Sequence, residues 1–346
     1  MHRLYTISGV EDLPITLESI HRVRPDVDRF ADRVPLRAAR SLSQQLGVEV
    51  SLKLESFQPT GSFKIRGAAA RLGAIPPDEL ARGVITASTG NHGRAVAHVA
   101  RLLGIPATIC VSEHVPPGKI EMLRRSGCVL DIGGPSQDAA FERAIAASER
   151  PGGPTLIHSI LDPIVVAGQG TCGLEIVEQQ PDTALVIVPV SGGGLIAGVA
   201  VAVRSLLPHA RVVGVSMDRG AVMHASLRAG RPVVLAEVET LADSLQGGIG
   251  VDNQTSFPIV QRLVDEIVLV TEEEIAAGMR HALSEHRVVL EGAGAVGIAA
   301  LLNGRIGAPD APVAVVCSGS AAELATIARL ANQAATAEDH GGAGSQ

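Results

Sequence analysis

The 346-residue chain has no tryptophan, one tyrosine and five phenylalanines. A core this poor in rings must be filled by Val, Leu, Ile and Ala, which suits buried parallel strands with helices on both faces. Runs of Lys and Arg are also missing, and the formal charge is -7. Both facts weigh against a nucleic-acid partner. They do not exclude a phosphorylated small molecule, because a glycine turn binds phosphate through backbone N–H groups without net positive charge. Cysteines number four, with no CxxC pair among Cys110, Cys128, Cys172 and Cys317. Buried free thiols and a cytoplasmic location are the expectation. The opening residues MHRLYTISGVEDLP lack an apolar signal core. One uncharged stretch, Leu185 to Val203, reaches membrane-span length. Pro189 and Ser191-Gly192-Gly193-Gly194 interrupt it, so it reads as strand, turn and helix, with no membrane partner.

What is abundant is hydrophobic residues, 46% of the chain, and glycine, 38 residues. Short β-branched runs alternate with helical stretches. Val48–Leu54, Val84–Ala87, Ala107–Val111, Cys128–Ile132, Leu185–Val190 and Val212–Ser216 predict strands. Ser62–Leu72, Gly90–Leu103, Lys119–Ser126 and Leu195–Leu206 predict helices. The alternation implies an α/β fold with mostly parallel sheets covered by helices. Punctuation at Pro151-Gly152-Gly153-Pro154 predicts a small domain over 81–154, with 1–80 and 155–333 forming a larger one. The small, polar residues 334–346 predict a disordered tail.

Four segments carry chemistry. In Pro59-Thr60-Gly61-Ser62-Phe63-Lys64-Ile65-Arg66-Gly67-Ala68, Thr60-Gly61-Ser62 predicts a turn and helix cap, putting Lys64 in the first helical turn. The positive end of a helix helps an amine lose its proton and become nucleophilic. The plain alternative is a solvated lysine. Thr86-Ala87-Ser88-Thr89-Gly90-Asn91-His92-Gly93 joins a strand to a helix, and its N–H groups and hydroxyls suit a carboxylate. His92 there reads as a general base or, more plainly, as a structural histidine held by the turn. Val190-Ser191-Gly192-Gly193-Gly194-Leu195 is a glycine turn that binds phosphate or merely turns, and it matches neither a Walker loop nor GxGxxG. Val315-Val316-Cys317-Ser318-Gly319-Ser320 ends an apolar run.

Together and in this order, these segments resemble the fold-type II pyridoxal 5′-phosphate (PLP) enzymes, in the serine/threonine dehydratase branch that includes serine racemase. Residues 62–68 match that family's Ser-Phe-Lys-x-Arg-Gly-Ala, and Ser88–Gly93 matches its Ser-x-Gly-Asn-His-Gly. Residues 191–194 match its tetraglycine loop, with Ser191 for the first Gly. Gly168-Gln169-Gly170-Thr171 and Glu291-Gly292-Ala293-Gly294-Ala295 are further family-like signatures, and the resemblance spans roughly residues 15–325.

The resemblance implies a two-lobed fold like the tryptophan synthase β subunit, a homodimer, and elimination of the hydroxyl of a small β-hydroxy amino acid to a 2-oxo acid and ammonia. It implies that Lys64 carries PLP as a Schiff base and acts as the base at Cα. Phe63 would pack on the cofactor, and Asn91 would bond the pyridine 3′-oxygen. Ser191, Gly192, Gly193, Gly194 and Leu195 would cradle the phosphate. Ser318 would face the pyridine nitrogen, with Cys317 one residue away as the open alternative. Ser88, Thr89, Gly90 and His92 would hold the substrate carboxylate. A hydroxyl facing the pyridine nitrogen makes the ring a weaker electron sink than a carboxylate would, which favours prompt loss of the β-substituent. Racemisation, β-replacement and non-catalytic PLP binding are the rival readings.

Several departures accompany the resemblance. Ser216-Met217-Asp218-Arg219-Gly220 stands where the family's divalent-cation site begins with Glu, so no metal site is expected. Thr89 stands where the racemases have Ser. Ala242-Asp243-Ser244 replaces Ala-Asp-Gly, and Ser318-Gly319-Ser320-Ala321 replaces Ser-Gly-Gly-Asn. Met217–Gly230 and Leu241–Gly250 are similar to the hydroxyectoine-utilisation dehydratases, making Arg219 and His224 candidate substrate-side groups. A C-terminal regulatory domain is not expected.

Overall fold

The computed structural model describes residues 12–307 and 311–341, with side chains as far as Gln333. In chain order the strands are β1 (Leu36–Ala38), β2 (Val50–Lys53), β3 (Val84–Ala87), β4 (Ala107–Val111), β5 (Val129–Ile132), β6 (Thr155–Leu156), β7 (Leu185–Pro189), β8 (Arg211–Met217), β9 (Glu266–Val270) and β10 (Val313–Val316). A six-stranded sheet has the order β1-β2-β10-β7-β8-β9, and a four-stranded sheet has the order β5-β4-β3-β6. The β1–β2 pair is antiparallel, and the other pairs are parallel. Every residue of β2, β7 and β10 is buried, as two-sided helix cover requires.

The larger sheet separates two apolar layers. Ala314 and Val316 of β10 face one layer with Ile65, Val165 and Ile196. Val313, Val315 and Cys317 face the other, with Leu52, Val296 and Ile298. In the first layer the Lys64–Gly73 helix packs closely on the Pro163–Gln179 helix. A Cβ on Gly168 would stand 2.6 Å from the Arg66 carbonyl oxygen. Part of the Gly168–Thr171 signature is therefore a helix-packing device.

The uncharged stretch from Leu185 divides at its glycine turn into β7 and the Gly194–Leu206 helix. Among the described residues no helix is long and apolar enough to cross a membrane. β6 pairs with β3 through Val84–Thr155 and Ile85–Leu156, completing the smaller sheet. Lys119 Nζ, on a helix of the smaller sheet's side, meets Asp243 Oδ2 at 2.9 Å. The terminal helix covers Leu324–Gly341, so 334–341 are helical where the composition predicted disorder; 342–346 lie outside the described residues.

Candidate active site

The site gathers at the C-terminal ends of parallel strands, where open α/β sheets place their ligands. β10 leads to Ser318, β7 to Ser191–Gly194, and β3 to Ser88–Gly90.

Lys64 is the first residue of its helix. The expected cap by Thr60-Gly61-Ser62 is not made: Phe63 is the N-cap, no side chain caps the helix, and the Ser62 Oγ is buried without a partner. Tertiary bonds hold the turn instead. Phe63 N–H donates to the Ser318 carbonyl at 3.1 Å, Ser320 N–H donates to Gly61 at 3.0 Å, and Ser62 bridges Gly319. The lysine turn is thus stitched to the loop after β10. Lys64 Nζ lies 5.1 Å from the centre of the Phe63 ring. Burial pushes the Lys64 amine down to about 8, while Glu291 pulls it upward. Burial thus lowers the amine in the same direction as the helix N-terminus at which Lys64 stands.

The alternation along β10 assigns Cys317 to the far layer, where burial pushes its thiol up to about 12. Ser318 follows on the opposite side and is buried. Cys317 is thereby out of the cleft.

The Asn91–Leu103 helix opens without a side-chain cap, and Gly90 has open space where a Cβ would be. Its first N–H groups are free for an anion. Ser88 Oγ accepts from Gly90 N–H at 3.3 Å, bracing the turn. His92 Nε2 lies 3.1 Å from the Ile157 carbonyl, and Nδ1 is buried without a partner. Burial, with Lys64 nearby, pushes His92 down to about 3. The ring is neutral, and its anchor is the strand end after β6 rather than the turn.

Gly193 has φ +85° and caps the Gly194–Leu206 helix. A Cβ on Gly192 would meet Ile160 Cδ1 at 2.6 Å, and one on Gly193 would meet Met223 Cε at 2.6 Å. The turn is braced from behind. Ser256 Oγ donates to the Gly192 carbonyl at 2.6 Å, and Asn253 Nδ2 donates to Ser256 Oγ at 2.9 Å.

Three features escaped sequence reasoning. Glu291, quoted only as part of a signature, sits buried against Asn91. His158 accepts from the N–H groups of Ile160 and Leu161, at 3.2 and 3.1 Å. Burial pushes it down to about 4, with Asp162 opposing and Lys64 adding to the fall. The Asn253–Ser256 brace carried no motif. Of the candidate substrate-side groups, Arg219 is half-exposed beside Asp218 and Glu272. His224 lies on the Val222–Ala229 helix, next to the Met223 that backs Gly193.

This is an α/β layout that sets a buried amine and a glycine turn at the ends of parallel strands. The chain belongs to the pyridoxal-phosphate dependent enzyme family, whose model matches residues 27–319. It is 50% identical over 330 residues to a provisionally named threonine dehydratase of Sinorhizobium fredii, covering 94% of this chain and 98% of that one. It is 42% identical over 319 residues to the L-threonine ammonia-lyase of Thermotoga maritima, covering 92% and 79%. Among solved structures, maize serine racemase superposes with a TM-score of 0.85 at 30% identity, covering 94% of this chain and 99% of that one.

The residues present fit PLP. Lys64 supplies a buried amine near neutrality. The glycine turn leaves no room for side chains at Gly192 and Gly193. Asn91 Oδ1 and His92 Nδ1 are buried polar atoms that lack partners within the chain.

Proposed function

We propose that this chain is a PLP-dependent ammonia-lyase that removes the β-hydroxyl of a small hydroxy amino acid, giving a 2-oxo acid and ammonia. The observation that carries the reading is the buried Lys64 amine at the joined ends of the β10 and β3 loops. Bound PLP supplies an electron sink for charge that develops at the substrate Cα. Lys64 anchors it and takes the Cα proton. Ser191, Gly192, Gly193, Gly194 and Leu195 would hold its phosphate, Phe63 would pack on the ring, Asn91 would meet the 3′-oxygen and Ser318 would face the pyridine nitrogen. Ser88, Thr89, Gly90 and His92 hold the substrate carboxylate at the open helix end.

The substrate class is narrower in this reading: a hydroxy amino acid derived from hydroxyectoine. The support is Met217–Gly230, whose Met223 packs directly behind Gly193. A homodimer in the cytoplasm, and a small domain over 81–154 set on a larger one, complete the proposal; four free cysteines support the compartment. The test is a screen of serine, threonine, 3-hydroxyaspartate and hydroxyectoine-derived amino acids for ammonia and 2-oxo acid without an added nucleophile. Release from at least one is expected. Product formation only with an added nucleophile, or isomer exchange without ammonia, would overturn the reading.

Gly193→Ala is expected to weaken PLP binding by roughly tenfold or more, because a non-glycine residue in the left-handed region costs about 1–2 kcal/mol and the new Cβ crowds Met223. Equilibrium reconstitution of the apoenzyme measures it, and wild-type affinity would contradict the phosphate assignment.

A further inference from the structure

Asn91 does not face the cleft freely. Its Nδ2 donates to Glu291 Oε1 at 2.9 Å and lies 3.2 Å from Oε2. Both residues are buried, and Asn91 Oδ1 has no partner. Glu291 is itself held from the other side. Ala321 N–H donates to its Oε2 at 3.1 Å, and its own N–H donates to the Gly319 carbonyl at 3.2 Å. The charged and polar groups around the carboxyl are Lys64 on the lysine helix, Asn91 and Arg94 on the next, and Asp243 and Ser244 from the 243–245 turn.

We propose that Glu291 is a positioning residue that fixes the rotation of the Asn91 amide, so that Asn91 meets the cofactor in one orientation. This rests on the assignment of Lys64 and Asn91 to PLP. An amide has a donor end and an acceptor end of nearly equal shape, so shape alone does not choose between them. Burial raises the Glu291 carboxyl, and the hydrogen bond from Asn91 opposes that; as a carboxylate it only accepts, so it selects the Nδ2 end. Glutamine at 291 reverses that selection. Its oxygen is required by the backbone N–H of Ala321, which cannot turn, leaving its NH2 group toward Asn91. The Asn91 amide then rotates to present Oδ1, exchanging donor and acceptor at the cofactor.

The test uses holoenzyme and reads the absorbance of bound PLP, its pH titration and steady-state kinetics. Glu291→Gln is expected to fold, to shift the cofactor band or its titration, and to lower kcat roughly tenfold with KM little changed, the scale of one misdirected hydrogen bond. Asn91→Ala is expected to shift the band as well, and adding Glu291→Gln to it should produce no further shift, since Glu291 acts only through Asn91. An unmoved band in Glu291→Gln, or independent shifts in the double variant, overturns the proposal. Lys64→Ala separates the two levels: if that variant keeps the wild-type band, the site reading itself falls and this inference with it. If the band depends on Lys64 yet ignores Glu291, the inference alone fails.

Discussion

Lys64→Ala is expected to abolish the visible absorbance of bound cofactor and to bring ammonia release down to background with every β-hydroxy amino acid. Two functions are lost together. The amine is the covalent anchor, and it is also the base placed to take the Cα proton. A well-placed general base alone is worth roughly a hundred- to ten-thousand-fold, and losing the anchor adds to that. The amine suits the second role because burial has brought it down to about 8. A substantial fraction is therefore neutral near pH 8, which an ordinary lysine reaches only above pH 10. Activity should accordingly fall on the acid side as this group protonates. The fold should tolerate the change, since the turn is held by backbone bonds between Phe63 and Ser318 and between Gly61 and Ser320. Full turnover in a folded Lys64→Ala protein would remove the basis of the functional reading.

The second large effect lies two residues further along the same helix. Arg66 is fully buried and donates to both oxygens of Glu55, each at 2.8 Å, and to both of Glu175, at 2.7 and 2.9 Å. It also reaches Thr171 Oγ1 at 3.1 Å. Lys53, buried as well, pairs with Glu175 and donates to the Val34 carbonyl at 2.7 Å. Two cations and two carboxylates thus neutralise one another beneath the lysine helix. Glu175→Ala would leave Arg66 with Glu55 alone and strip Lys53 of its carboxylate partner. A loss of about 3–5 kcal/mol is expected, the usual cost of breaking a buried pair from one side. Urea denaturation measures it, and a loss below about 1 kcal/mol would mean the network is solvated.

The pH dependence has a definite sign. Burial raises the Glu175 carboxyl, but Arg66 by charge and hydrogen bond, with Lys53, overcomes that and holds it below the ordinary carboxylate range. Its contribution is therefore present above the unfolded carboxylate value and is lost as pH falls through the folded one. The stability gap between wild type and Glu175→Ala should narrow in acid.

Much of this was legible in the sequence. β3 and β4 fall where the β-branched runs predicted them, because strands buried on both faces leave an uninterrupted apolar signature. Lys64 and the glycine turn were visible because each is a local pattern. What depends on distant partners was not. The Ser62 cap failed because Phe63 found the Ser318 carbonyl, a residue far off in sequence. Glu291 gave no signal of its place, because its partner Asn91 is 200 residues away. His92 was expected to be held by its turn and is held by Ile157. Whether Cys317 or Ser318 reaches the cleft required the phase of β10, which only the two apolar layers reveal.

The bridge from Lys119 to Asp243 joins the two sheets through side chains that are 30% and 46% exposed. A wet ion pair of this kind holds weakly and is screened by salt, whereas the charges around Arg66 lie beyond the reach of ions. Salt should therefore loosen the first pair and leave the second as it is. Raising ionic strength should erase most of the stability lost in Lys119→Ala while leaving the loss in Glu175→Ala nearly unchanged.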